Sequence, residues 1–265
     1  MTEPGVGEIG SASSDAISAR GLSKRFGRFV ALDRVDLAIP RGAICGLIGP
    51  NGAGKTTALK SFVGLCDAEG ELEVVGHDPR VSRSRLMLDA CFIADVGVLP
   101  RELRGIDIVD YVDRVHPKFD REKALAFLST TDIKLGNKIK SLSKGMVTQL
   151  HLAIVMAIDV ELLILDEPTL GLDILYRKSF YERLLTQFYD GSQTIVISTH
   201  QVEEIESLLS HLVFLKNGRV VLDMAMDDVA SSFVEVEVAP EHEPEAEALG
   251  PFAKRTGLGS RIFLY

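Results

Sequence analysis

The 265 residues predict an α/β protein in which a parallel sheet is covered by helices on both faces, and three observations lead there. The short apolar run Ala43 to Ile48 enters a glycine-rich stretch, after which Thr57 to Leu65 takes up helical spacing. The wholly apolar Leu162-Leu163-Ile164-Leu165 and the run Thr194 to Ser198 read as strands buried on both faces. Helical patterns at Lys144 to Ala157 and Leu175 to Tyr189 separate them, and such alternation predicts parallel strands joined by helical crossovers.

In chain order, residues 1–15 are rich in Gly, Ser and Glu and predict a flexible leader. Short β-prone runs follow at Ala16 to Leu22, Val30 to Ile39, Ala43 to Ile48 and Glu71 to Val75, parted by Gly, Pro and Asp turn residues. From Gly105 to Ser129 the pattern turns helical and charged, with Ile106, Val109 and Val112 on one face, so a helical subdomain is expected at about 96–158. After the strand at Thr194, Gln201 to Leu209 reads as helix and Val213 to Leu222 as a hairpin turning at Asn217-Gly218. Residues 16–230 are thus expected to form the main domain, and 231–265 a small accessory element of two strands.

A chain of this length that is 46% hydrophobic can bury a substantial core. No apolar run approaches the ~20 residues of a membrane span, and Met1 to Ser14 has no apolar h-region, so a soluble, unsecreted chain is expected. Cys45, Cys66 and Cys91 are scattered, which suits reduced thiols in a cytosolic compartment. A net charge of -9 argues against broad wrapping of nucleic acid, and no such partner is expected.

Chemistry is concentrated in Gly49-Pro50-Asn51-Gly52-Ala53-Gly54-Lys55-Thr56, a complete phosphate-binding loop between strand and helix. Its glycines let several backbone N–H groups converge on phosphate oxygens at the positive end of a helix dipole. Lys55 would reach the terminal phosphates, the Thr56 hydroxyl would ligate magnesium, and Thr57 completes the set. The same site needs a carboxylate at the end of a buried strand, and Asp166 follows Leu165. Neighbouring residues at a strand end point in different directions. Asp166 can therefore face the magnesium water shell while Glu167 faces the γ-phosphate and an attacking water. His200, just past an apolar strand, would hydrogen-bond the γ-phosphate and orient that water.

Together these residues resemble the ATP-binding subunits of ABC transporters, from about Ile17 to Asp223. Ser141-Leu142-Ser143-Lys144-Gly145-Met146 is similar to that family's signature loop, Asp166-Glu167-Pro168-Thr169 to its second nucleotide motif, Leu170-Gly171-Leu172-Asp173 to its D-loop and Ser198-Thr199-His200 to its switch histidine. The resemblance implies a P-loop NTPase (RecA-like) core with an antiparallel β subdomain and an inserted helical subdomain. It also implies a head-to-tail dimer holding two ATP molecules with Mg2+, in which Ser143, Gly145 and Asp173 of one copy meet the nucleotide of the other. Phe26 resembles the aromatic that stacks on adenine, though a core phenylalanine would read the same way. Ser143 can equally be a plain helix cap. Asp95 stands where the family usually has glutamine; a shorter carboxylate can still reach the metal but cannot donate as an amide does. Lys144 and Met146 replace the commoner glycine and glutamine.

The function implied is ATP hydrolysis driving solute movement through a separate integral-membrane permease, with the chain peripheral on the cytoplasmic face and paired as a homodimer or with a sister ATPase subunit. The signature variant resembles exporter-type cassettes. The apolar loop residues Val98, Leu99 and Pro100 would either receive a short permease helix or pack the subdomain. The alternative is a soluble ABC-type ATPase of translation or DNA maintenance, but such relatives carry fused cassettes or a long coiled coil, and neither occurs here. A GTP switch would show Asn-Lys-x-Asp, whereas Asn137-Lys138 is followed by Ile139-Lys140.

Overall fold

The computed structural model describes residues 14–94, 99–170, 172, 174–251, 253–256 and 260–264. In order the chain forms β1 (Asp15–Phe26), β2 (Phe29–Pro40), β3 (Ile44–Ile48), α1 (Lys55–Phe62), β4 (Glu69–Val74), α2 (Arg83–Asp89) and β5 (Ala90–Ile93). Then come α3 (Gly105–Val115), α4 (Arg121–Ser129), α5 (Lys144–Met156), β6 (Leu162–Asp166), α6 (Ile174–Arg183) with a π-helical turn at Leu184–Phe188, β7 (Thr194–Thr199), β8 (His211–Lys216) and β9 (Arg219–Ala225). The chain divides into two compact units between Asp223 and Met224.

In the first unit, β5-β6-β7-β3-β8-β9 form one sheet, parallel from β5 to β8. Every residue of β3, β6 and β7 is buried, as expected for strands covered on both faces. A second, antiparallel sheet runs β2-β1-β4. Along β2 burial alternates, with Leu32, Val35, Leu37 and Ile39 inward. These side chains share one apolar cluster with Leu59 and Phe62 of α1 and with Leu47, Leu162, Ile164 and Val196 of the parallel sheet. The helix that begins at the phosphate loop is therefore clamped between the two sheets.

Helices α3, α4 and α5 pack on one another. Asp107 accepts from the backbone N–H of Arg104 at 2.9 Å at the start of α3, and Asp120 accepts from Lys123 N at 2.9 Å to start α4. The buried stripe of α3 is Gly105, Ile108 and Val109, not the expected Ile106-Val109-Val112: the two share Val109, and the buried face is turned by about 50° about the helix axis from the one that hydropathy picks out.

The expected helix at Gln201 to Leu209 is instead two short 3-10 turns, Val202–Glu204 and Glu206–Leu208, and Arg177 holds the side chains of Gln201 and Glu204 there. The hairpin β8–β9 turns at Asn217 (φ 51°) and Gly218 (φ 75°), both left-handed, as a tight turn of that type requires.

The second unit contains α7 (Met226–Ser232), β10 (Glu235–Val238), α8 (Glu243–Ala248), β11 (Ala253–Thr256) and β12 (Arg261–Leu264). Three strands pair antiparallel in the order β10-β12-β11, where the sequence suggested two. The extra strand, Ala-Lys-Arg-Thr, has no apolar alternation to announce it and is held by its ladder to β12.

Candidate functional site

The phosphate loop is shaped by glycine where no other residue fits. Gly54 sits at φ 109°, and an added Cβ would lie 2.5 Å from the carbonyl of Ala31. The loop is backed by the β8–β9 turn, since Gly218 N donates to Ala53 O at 2.9 Å and Asp33 N donates to Gly218 O at 2.8 Å. Lys55 opens α1, is 6% exposed, and donates from Nζ to Gly49 O at 2.7 Å. Thr56 stays exposed on the rim.

The two acids occupy the end of β6, where register brings Asp166 beside Ser198 of β7. Ser198 Oγ donates to Asp166 Oδ1 at 2.6 Å and accepts from Glu167 N at 3.0 Å, so one hydroxyl orients both acidic residues. The sequence shows Ser198 only as part of the switch motif, because its role depends on strand register that no local pattern displays. Glu167 adopts φ 47°, a conformation that costs a non-glycine residue about 1–3 kcal/mol. Both Glu167 carboxylate oxygens lie 3.0 Å from His200 Nδ1, and Oε1 is 3.5 Å from Lys55 Nζ. The expected trio Lys55, Glu167 and His200 is therefore assembled within one chain.

A cleft of about 220 Å³ is lined by Phe29, Ala31, residues 51–57 and Glu167. Phe26 is not in its wall. The tight turn of the β1–β2 hairpin pairs Phe26 with Phe29, Phe29 faces the cleft, and the Lys24 ammonium lies 5.3 Å from the Phe26 ring centroid.

Ser143 caps α5 by accepting from Met146 N at 3.2 Å, while remaining exposed. Gly145 is buried where an added Cβ would lie 3.1 Å from the Tyr176 ring, so close packing as well as phosphate chemistry calls for glycine. Among the described residues that line the cleft none belongs to α5. Asp95, Val98, Gly171 and Asp173 lie outside the described residues.

The donors fit a magnesium nucleotide. Thr56, exposed on the rim, and Asp166, at the end of β6, would offer it two protein oxygens, a small set that suits a cation keeping most of its shell as water and phosphate. No cluster of three or more His, Cys, Asp or Glu that would cage a metal occurs among the described residues. Nor is any helix among them long and apolar enough to cross a membrane.

The family model described as ABC transporter matches residues 32–170. A Nod factor export ATP-binding protein I from Cupriavidus metallidurans is 31% identical over 268 residues, which cover 94% of this chain and 86% of the relative. A daunorubicin resistance ATP-binding protein from Streptomyces coeruleorubidus is 32% identical over 220 residues, 81% of this chain and 69% of its own length. The solved ATP-binding subunit of an ABC transporter aligns with a TM-score of 0.74 at 26% identity, over 82% of this chain and 92% of that one. With the phosphate loop and Glu167 lining one cleft, His200 beside that carboxylate, and relatives of this kind along almost its whole length, the chain belongs to the ABC transporter family as an ATP-hydrolysing subunit.

Proposed function

We propose that two cassettes of this kind close on ATP head to tail, each completing the other's site, and that the motion drives export through a separate integral-membrane permease. The carrying observation is the division of labour within one chain: Lys55 and Glu167 line a cleft to which no described α5 residue contributes, with His200 beside Glu167, while Ser143 and Lys144 at the start of α5 are exposed. A helix start of that kind favours an anion, and a partner's γ-phosphate fits.

Within the site, Glu167 takes the proton of the attacking water, His200 steadies that carboxylate and the γ-phosphate, and Lys55 spreads the charge on the transferring group. Bound magnesium, reached through Thr56 and Asp166, would neutralise developing charge on the phosphates. Phe29, in the cleft wall, is placed to take the stacking on adenine that the family pattern gives to Phe26, with Asp173 and Asp95 assigned to the nucleotide and metal by the same pattern. We assign residues 16–230 to the ATPase domain and the chain's location to the cytoplasmic face of the membrane. The names of the relatives, Nod factor export and daunorubicin resistance, favour outward movement of a small organic solute.

The test is the Glu167→Gln variant run on gel filtration with ATP and magnesium. It should elute as a dimer that the nucleotide-free protein does not form, and elution as a monomer at saturating ATP overturns the paired reading. For the permease, Leu99→Asp should reduce co-purification with it, and unchanged recovery removes the Leu99-Pro100 loop as the contact.

A further inference from the structure

Two cations grip the main chain of the turn that follows Glu167. Arg177 Nε donates to Leu172 O at 2.7 Å, and Lys144 Nζ donates to Leu170 O at 2.8 Å. The turn otherwise closes on its own amides, Leu170 N to Glu167 O at 3.1 Å and Leu172 N to Thr169 O at 3.0 Å. Arg177 is anchored several times over, since its guanidinium also pairs with Gln201 and Glu204. Lys144 differs. It is exposed at the first position of α5, where the helix dipole works against a cation, and it spans from the signature loop to a carbonyl three residues beyond Glu167. Glu167 itself holds a strained left-handed backbone that survives only while its surroundings enforce it.

We infer that Lys144 is a positioning residue for Glu167. Its ammonium is a strut that ties the end of the chain reading the partner's nucleotide to the turn carrying the base of its own site. The inference rests on the paired reading above, since only then does the signature end meet a nucleotide. In the separated chain the strut limits the freedom of Leu170, and through the Leu170–Glu167 hydrogen bond it holds the carboxylate toward His200.

The experiment compares the parent full chain with Lys144→Met, which keeps the stem and loses the donors, and with Lys144→Arg, which restores a donor. ATP turnover is measured against ATP and against protein concentration, and hydrogen exchange is followed in the peptide covering 167–172. Lys144→Met should lower kcat by about five- to tenfold with KM unchanged, and Leu170 and Leu172 should exchange faster. Lys144→Arg should recover most of both. If Lys144→Met matches the parent in kcat and in exchange, the strut is refuted while the paired reading stands. A rise in KM alone refutes it too, because Lys144 would then be a nucleotide contact. A parent whose turnover per molecule is independent of protein concentration and which never pairs on ATP overturns the paired reading itself, and the inference falls with it.

Discussion

The phosphate-loop end and the signature end of the first unit are built to opposite rules. Around the phosphate loop, Lys55 and Asp166 are buried, Ser198 ties both acids, and the β8–β9 turn braces the loop from behind. At the signature end, Ser143 and Lys144 are exposed, a single side-chain hydrogen bond caps the helix, and one lysine reaches back to the main chain. A buried, multiply bonded group has its geometry fixed before substrate arrives, which is where electrostatic catalysis is strongest. An exposed helix start with open N–H groups is unspent binding capacity. On the proposed reading one chain holds a finished catalytic half and an unfinished binding half, and the asymmetry favours a second copy.

The comparison breaks most visibly at the base. Glu167→Gln should cut steady-state phosphate release by about 10²- to 10⁴-fold, the usual contribution of a general base, while nucleotide binding at the loop persists. Release within tenfold of the parent would mean that the finished half is not where the chemistry happens.

The two serines then sharpen the contrast. Ser198→Ala strips one buried carboxylate oxygen of its partner, while the Glu167 amide keeps the Ser198 carbonyl at 3.1 Å. It should destabilise the fold by about 1–3 kcal/mol, seen as a fall in Tm of about 2–4 °C per kcal/mol. Turnover should fall at every protein concentration. Ser143→Ala removes an exposed cap worth about 1 kcal/mol, and its larger effect should be on pairing, raising the protein concentration at which turnover is half-maximal. If the two variants show the same concentration dependence, the division between a cis half and a trans half is wrong.

What could be read in the sequence follows the same division. The phosphate loop was legible because its conformation needs Gly52, Gly54 and a lysine at set spacing, and β6 because four consecutive apolar residues have no other home in an α/β sheet. Placing Glu167 opposite His200 was legible only as a motif; its cause, a left-handed backbone pinned by Ser198, comes from the register of β6 against β7. Lys144 and Arg177 were invisible in that role, since a side chain donating to a main-chain carbonyl leaves no pattern in the partner's residue type. The α3 stripe was misplaced because Ile106 and Ile108 are equally apolar and only the neighbouring helices choose between them. Phe26 and Phe29, three residues apart on one hairpin, were indistinguishable by composition for a similar reason.

The smallest expected effect tests how dry the finished half is. Tyr181 lies behind the turn that follows Glu167, its hydroxyl 3.3 Å from Thr169 Oγ1, and burial pushes its pKa up from 10 to about 12, while the Thr169 hydrogen bond pulls modestly the other way. The folded protein thus keeps this proton to higher pH than the unfolded chain does. The resulting stability is complete below the unfolded value of about 10 and is lost as pH climbs through the folded value. Tyr181→Phe gives up one hydrogen bond, worth about 1 kcal/mol at neutral pH, but has no proton to lose. Thermal melts across about pH 8 to 11 should therefore show the parent's lead over Tyr181→Phe shrinking as pH rises, with every other titrating group common to both proteins. A gap that stays constant over that range would mean water reaches Tyr181, and that the wall behind the catalytic turn is as open as the signature end.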